Sequence, residues 1–233
     1  AQALALSAVE REWLAAHPVI RVGFAGGMAP YAFFDDKGNP AGVATELTNL
    51  VAERLGVRLE YVHGLNWGQL LQGARRHEVD LLTTATYRPD RASYLNFTEN
   101  YLNTPVVVMT RDETPRLPQL MHLNGQRVAL VKQYSSSEQA MERFPKMEPL
   151  WVAEPLDGLR AVSEGRAEAY IGVLGVNTVT ASRNGIANLK VNSFFAENGQ
   201  AYGVRKDWPE LIPLLERALD SIPEPDKLAI YSR

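Results

Sequence analysis

The order strand, helix, strand, helix, strand occurs twice along this chain, and it constrains the fold more than any other feature. In the first run, Val19–Phe24 reads as a buried strand. Val43, Leu47, Leu50, Val51 and Leu55 then recur on one helical face, with Gly56 placed to end that helix. Val57–Val62 alternates as a strand does. Asn66 is placed to cap a second helix with Leu70, Leu71 and Ala74 inward, and Val79–Thr84 is a third strand. Strands joined through helices pair in parallel, so each run is a parallel α/β unit. The second run comprises Arg127–Lys132, a helix over Ser135–Phe144, a strand at Leu150–Ala153, a helix over Leu156–Gly165 and a strand over Ala167–Val173.

Local signals mark the helix starts. Ser7 and Glu10 are spaced as a capping box for a short helix through Trp13 and Leu14 that stops near His17-Pro18. Ser135 and Glu138 repeat that spacing, and Asp207 with Glu210 predicts the cap of a late helix carrying Leu211, Leu214, Leu215, Ala218 and Leu219 inward. Ser221–Pro225 breaks that helix and Asp226–Tyr231 begins another. Two stretches, Thr104–Thr110 and Gln200–Arg205, read as extended on either side of the second run. They fit a chain that leaves a first lobe, builds a second and returns, with a cleft at the crossing; periodicity alone fits a single sheet equally well.

Composition removes several function classes. The 233 residues carry 24 Lys and Arg against 27 Asp and Glu, a net charge of −3, which excludes a nucleic-acid binder that works by phosphate neutralisation. There is no Cys, so no disulfide, thiolate metal site or cysteine nucleophile exists. The four histidines, His17, His63, His77 and His122, have no zinc spacing, and no glycine-rich nucleotide motif or serine-hydrolase elbow occurs. The reading calls for no cofactor and no metal. No apolar run reaches the roughly 18 residues of a membrane helix, and the N-terminus lacks the charged, apolar and small regions of a signal segment.

Several segments carry a resemblance. Val19-Ile20-Arg21-Val22-Gly23, Pro30-Tyr31 and Gly42–Leu47 resemble the opening of type 2 periplasmic solute-binding proteins. Thr84-Ala85-Thr86, then Arg91, then Leu95–Tyr101 resemble that family's T-x-T-x-x-x-x-R segment and its following strand. Gly125–Ala129 and Gly165–Ala169 resemble its second-lobe segments. Glu10–Pro18 resembles the lead-in of the Venus-flytrap sensor modules of bacterial sensor kinases. The resemblance spans essentially the whole chain. It implies a two-lobed, periplasmic-binding-protein-like (type 2) α/β fold with two crossing hinge strands, lobe 1 being residues 1–106 and 202–233 and the inserted lobe 2 residues 107–201. It also implies a ligand cleft and closure on binding.

The same resemblance implies the binding residues. Arg91 matches the residue that grips a ligand carboxylate, a role suited to the guanidinium fork. Thr86 adds a hydroxyl and Thr84 a backbone acceptor. Trp67, with Tyr31 and Met28, matches aromatic and apolar walls. In the second lobe Lys132 and the hydroxyls of Ser135, Ser136 and Ser137 stand at a helix start suited to an anion, although a capping box alone also explains Ser135. Val173 and Ala25 fall where amino-acid binders place the acids that hold an ammonium, and neither is a carboxylate. The implied ligand is therefore a small carboxylate or an amino-acid-like molecule.

The expected role is a periplasmic sensing module of an inner-membrane signalling protein, attached to a membrane helix within about 40 residues after Arg233 and a possible homodimer. A free receptor of an ABC transporter uses the same cleft. A dehydratase-like enzyme needs a cleft acid or base, for which Glu46, Asp80 and Glu168 are the acids near strand ends.

Overall fold

The computed structural model describes residues 4–232. Along the chain the elements are α1 (Ala8–Ala16), β1 (Val19–Gly23), β2 (Phe33–Phe34), β3 (Pro40–Ala41), α2 (Val43–Leu55), β4 (Arg58–Tyr61), α3 (Trp67–Arg75) and β5 (Leu81–Ala85). They continue with β6 (Leu95–Phe97), β7 (Leu102–Arg111), β8 (Arg127–Val131), α4 (Ser135–Arg143), β9 (Glu148–Val152), α5 (Pro155–Ser163) and β10 (Ala169–Val173). The last are α6 (Leu174–Arg183), β11 (Leu189–Arg205), α7 (Leu211–Asp220) and α8 (Glu224–Tyr231).

The chain divides into two compact units. Unit 1 holds the residues up to Leu65, Gln69–Leu102 and the chain from Gln200 onward; unit 2 holds Asn66–Gly68 and Asn103–Gly199. The chain leaves unit 1 within β7 and re-enters it within β11.

In unit 1, β1 pairs in parallel with β4 and β5, and the end of β11 runs antiparallel to β5 and β6. The parallel pairs follow from the helical crossovers α2 and α3. The predicted apolar stripe of α2 packs inward through Leu47, Val51 and Leu55, and Gly56 closes the helix at φ 72, a left-handed value that costs glycine little. α7 buries Leu211, Leu214, Leu215, Ala218 and Leu219 in the same core. The Ser7–Glu10 capping box forms in full.

In unit 2, β8 lies between β9 and β10, parallel to both, and β10 runs antiparallel to β7. One core, with Val106, Val108, Val128, Leu130 and Ile171, lies under α4; a second, with Val107, Met109, Leu159, Val162 and Tyr170, lies under α5. The Tyr170 ring fits only because Gly158 and Gly172 face it, where a Cβ would stand 2.5–2.6 Å from ring atoms.

Two local expectations need correction. Ser135 is not a helix cap. Gln133 turns the chain at φ 66 and Tyr134 takes the extended cap position, so Ser135 is already the first helical residue. Asp207 caps nothing, because its carboxylate is held by the Arg205 fork at 2.7 Å on both branches; α7 starts later, after Glu210. The stretch after Val173, which carries no assignment from periodicity, forms α6 and then the long first part of β11.

Candidate functional site

In unit 1 the candidate residues stand at the carboxyl end of β5 and in the loop before α2. Thr83 and Thr84 stand in a strand buried at every position. The chain then turns so that Arg91 opens a 3-10 turn, its amide donating to the Arg88 carbonyl at 3.0 Å. The Arg91 side chain is 1% exposed, and its Nη1 donates to the Thr86 carbonyl at 3.0 Å. A guanidinium taken out of water is held only where fixed acceptors meet it, so this fork is pre-oriented. Thr84 is 6% exposed and its hydroxyl has no hydrogen-bond partner; the Thr83 hydroxyl, on the other face of the strand, is likewise unpaired. Thr86 is half-buried.

The aromatic loop is anchored from both sides. The amides of Tyr31 and Ala32 donate to the Met28 carbonyl at 2.8 and 3.1 Å, while Val43 and Ala44 at the start of α2 donate to the carbonyls of Pro30 and Tyr31. Gly42 permits this approach: a Cβ there would overlap the Tyr31 carbonyl. Met28 is buried and Tyr31 half-buried.

In unit 2, Trp67 is buried at the first residue of α3. The rest of the unit's set stands at the carboxyl ends of two adjacent parallel strands. β8 ends at Val131, exposed Lys132 follows, and α4 begins with Ser135, Ser136 and Ser137, all buried. β10 ends at half-buried Val173, which is itself the cap residue of α6 and supplies no side-chain bond to it. Two groups here stand out, Ser137 from the serine run and Asn177, which lies outside the sequence reading of the site. The Ser137 hydroxyl is 1% exposed and unpaired, and the Asn177 carboxamide is 0% exposed with neither its oxygen nor its nitrogen paired. Ser137 is the third residue of the serine run that the sequence places at this helix start. Asn177 was not legible there, because no periodic signal marked α6.

The three acids weighed for enzyme chemistry are otherwise placed. Asp80 is buried and accepts from the Arg21 amide at 2.8 Å, from the Arg21 guanidinium at 3.0 and 3.2 Å and from Arg205 at 2.9 Å. Two fixed cations hold it in a structural clasp. Glu168 is paired with Arg111 at 3.1 Å, and Glu46 lies in the first turn of α2. Burial raises the phenols of Tyr101, Tyr134, Tyr170 and Tyr202, which keeps each neutral.

The family model described as bacterial extracellular solute-binding proteins, family 3, matches residues 20–233. The virulence sensor protein BvgS of Bordetella pertussis is 26% identical over 233 residues, covering 98% of this chain and 19% of its own length. The crystal structure of the BvgS periplasmic VFT2 domain superposes with a TM-score of 0.86 at 25% identity, with 98% of each chain covered. A probable amino-acid ABC transporter-binding protein of Haemophilus influenzae is 27% identical over 152 residues, covering 64% of this chain and 58% of its own. This chain thus spans about a fifth of the length of the sensor relative. None of its described helices is long and apolar enough to cross a membrane.

Proposed function

The chain belongs to the bacterial extracellular solute-binding proteins of family 3, and from that footing we propose that it is the periplasmic ligand-sensing module of a membrane-bound signalling protein, a sensor histidine kinase or a close equivalent. It takes up a small carboxylate or amino-acid-like ligand and is not itself catalytic. Arg91 clamps a carboxylate, Thr84 and Thr86 flank it, Trp67, Tyr31 and Met28 wall the apolar part, and Lys132, Ser135, Ser136 and Val173 meet the end presented to unit 2. Lobe 1 and lobe 2 of the family correspond in this reading to units 1 and 2.

The observation that carries the reading is the likeness to the BvgS VFT2 domain at matched length, 98% of both chains. In the family the ligand acts by preferring one arrangement of the lobes, and it biases that equilibrium only by its difference in affinity between the two. A second reading, a free receptor for an ABC transporter, draws on the likeness to the Haemophilus influenzae binding protein. The continuing gene separates the two. The sensor reading expects a membrane helix of about 20 residues within roughly 40 residues after Arg233, with a signalling domain beyond it. A gene that stops near Arg233 beside permease genes leaves the receptor reading instead.

A further inference from the structure

Unit 1 carries an open strand edge. β6 pairs only with β11, with Leu95 beside Arg205, Asn96 beside Val204 and Phe97 beside Gly203. One step on, the Thr98 amide donates to the Tyr202 carbonyl at 3.1 Å. Hydrogen-bonded pairs alternate along an antiparallel ladder, so the backbone groups of Asn96 and Thr98 face β11 and those of Leu95 and Phe97 face away from it. Among the described residues nothing bonds these outward N–H and C=O groups. Such an edge is a template for another strand. Of the usual guards, which are charge, proline and brevity, β6 has only brevity: its three residues are Leu, Asn and Phe.

The flanks of the edge are aromatic and charged. Tyr87 is 55% exposed and meets the Phe97 ring edge-on, 5.2 Å between centroids. Lys206 and Glu99 are both exposed, and neither is in an ion pair among the described residues. The Lys206 ammonium donates to the Ala92 carbonyl at 2.7 Å, which holds it just ahead of β6, and Glu99 stands just beyond the other end. The edge thus has a cation at its start and an anion at its finish. An edge of that order is complementary to a second copy of itself laid antiparallel, where each cation meets an anion.

We propose that β6 joins two copies of this chain, antiparallel about a twofold axis at Asn96. Leu95 of each copy exchanges both backbone bonds with Phe97 of the other, which makes four bonds in all. Each Phe97 ring lies beside the other copy's Leu95, and each Glu99 comes to the other copy's Lys206. A ladder of three residues is short, so the dimer is weak and depends on concentration. The argument uses unit 1 alone and does not rest on the ligand.

The chain has no Cys, so a single introduced cysteine reports the register. Residues opposite each other in a non-hydrogen-bonded antiparallel pair have Cα atoms about 4.5 Å apart, within the roughly 4.4–6.8 Å span of a disulfide. Asn96 meets itself across the axis. Asn96→Cys is therefore expected to cross-link into a dimer under oxidised glutathione at least about tenfold faster than Asn100→Cys, which lies off the axis. Sedimentation equilibrium of the unaltered chain is expected to show a mass rising from monomer toward dimer between about 10 µM and 1 mM. Lys206→Glu is expected to weaken that dimer about fivefold or more, and Glu99→Lys added to it to restore the affinity, since the exchanged charges meet again. Thermal melts verify that each variant is folded. A monomer at every concentration, with no preference for cross-linking at Asn96, overturns the proposal and leaves the edge to a strand of another protein. A dimer that is indifferent to Lys206→Glu and does not cross-link at Asn96 uses another face and overturns it as well. Either failure leaves the ligand reading standing, because the edge holds none of the residues assigned to the ligand.

Discussion

Arg91 shows how much one residue's setting decides. As a letter in the sequence it is an arginine near a helix start, equally at home on a surface. Buried at 1% exposure with Nη1 fixed on the Thr86 carbonyl, it is instead a cation removed from water. Removing one side of a buried, hydrogen-bonded charge pair costs about 2–5 kcal/mol, largely because the other charge is left without a partner. Arg91→Ala should therefore weaken binding of whichever carboxylate the chain takes by that amount. Calorimetry against that compound, with a melt to verify folding, checks it; unchanged affinity removes Arg91 from the site.

At the scale of elements, ion pairs fasten the strand ends of unit 1. Asp80 joins β1 to the end of β11 through Arg21 and Arg205, and Arg205 extends the link to Asp207. His77 stands 3.5 Å from the Asp207 carboxylate, and the Arg205 guanidinium also stacks over Trp208 at 4.6 Å. Hydrogen bonds from Arg205 hold the Asp207 carboxyl below its ordinary value of 3.8. A carboxyl depressed in the folded state contributes stability above its unfolded value and loses it as pH falls through the folded value. Asp207 is partly exposed, so the effect is screened and modest. Urea midpoints measured from neutral pH down to about pH 3 should fall less steeply on the acid side in Asp207→Asn than in the unaltered chain. Identical acid slopes would show that this pair carries no pH-dependent stability.

For the whole molecule, the useful fact is that the cores are separate. The apolar cluster around Leu47, Val51 and Leu215 is drawn from unit 1, and the two clusters around Val108 and Val107 from unit 2. The two cut points of unit 1 are also adjacent, since the Tyr101 amide donates to the Gln200 carbonyl at 2.8 Å. Joining Leu102 to Gln200 through a short glycine-rich turn closes a small loop at little entropic cost. Such a chain, without residues 103–199, should fold alone and unfold cooperatively in urea, with an m-value reduced in proportion to the surface lost. A non-cooperative transition would show that unit 1 depends on unit 2 for its stability.

Periodicity alone determined the two parallel α/β runs, because an apolar stripe at helical spacing and a buried apolar run have few other ways to leave water. The α2 stripe, the Ser7–Glu10 box and the break between α7 and α8 all follow from short-range chemistry and stand as read. Where another local interaction competed, the capping signal failed. Arg205 took the carboxylate that the Asp207 spacing assigned to a helix cap, and the turn at Gln133 moved the α4 boundary past Ser135. The candidate site divides the same way. Arg91, Thr84 and the serine run were legible because their residue types and spacing stand in the sequence. Asn177 was not, since an asparagine becomes informative only when the packing of α6 on α5 and β10 removes it from water and leaves its amide unpaired. Burial is a property of the assembled unit, and no window of sequence contains it.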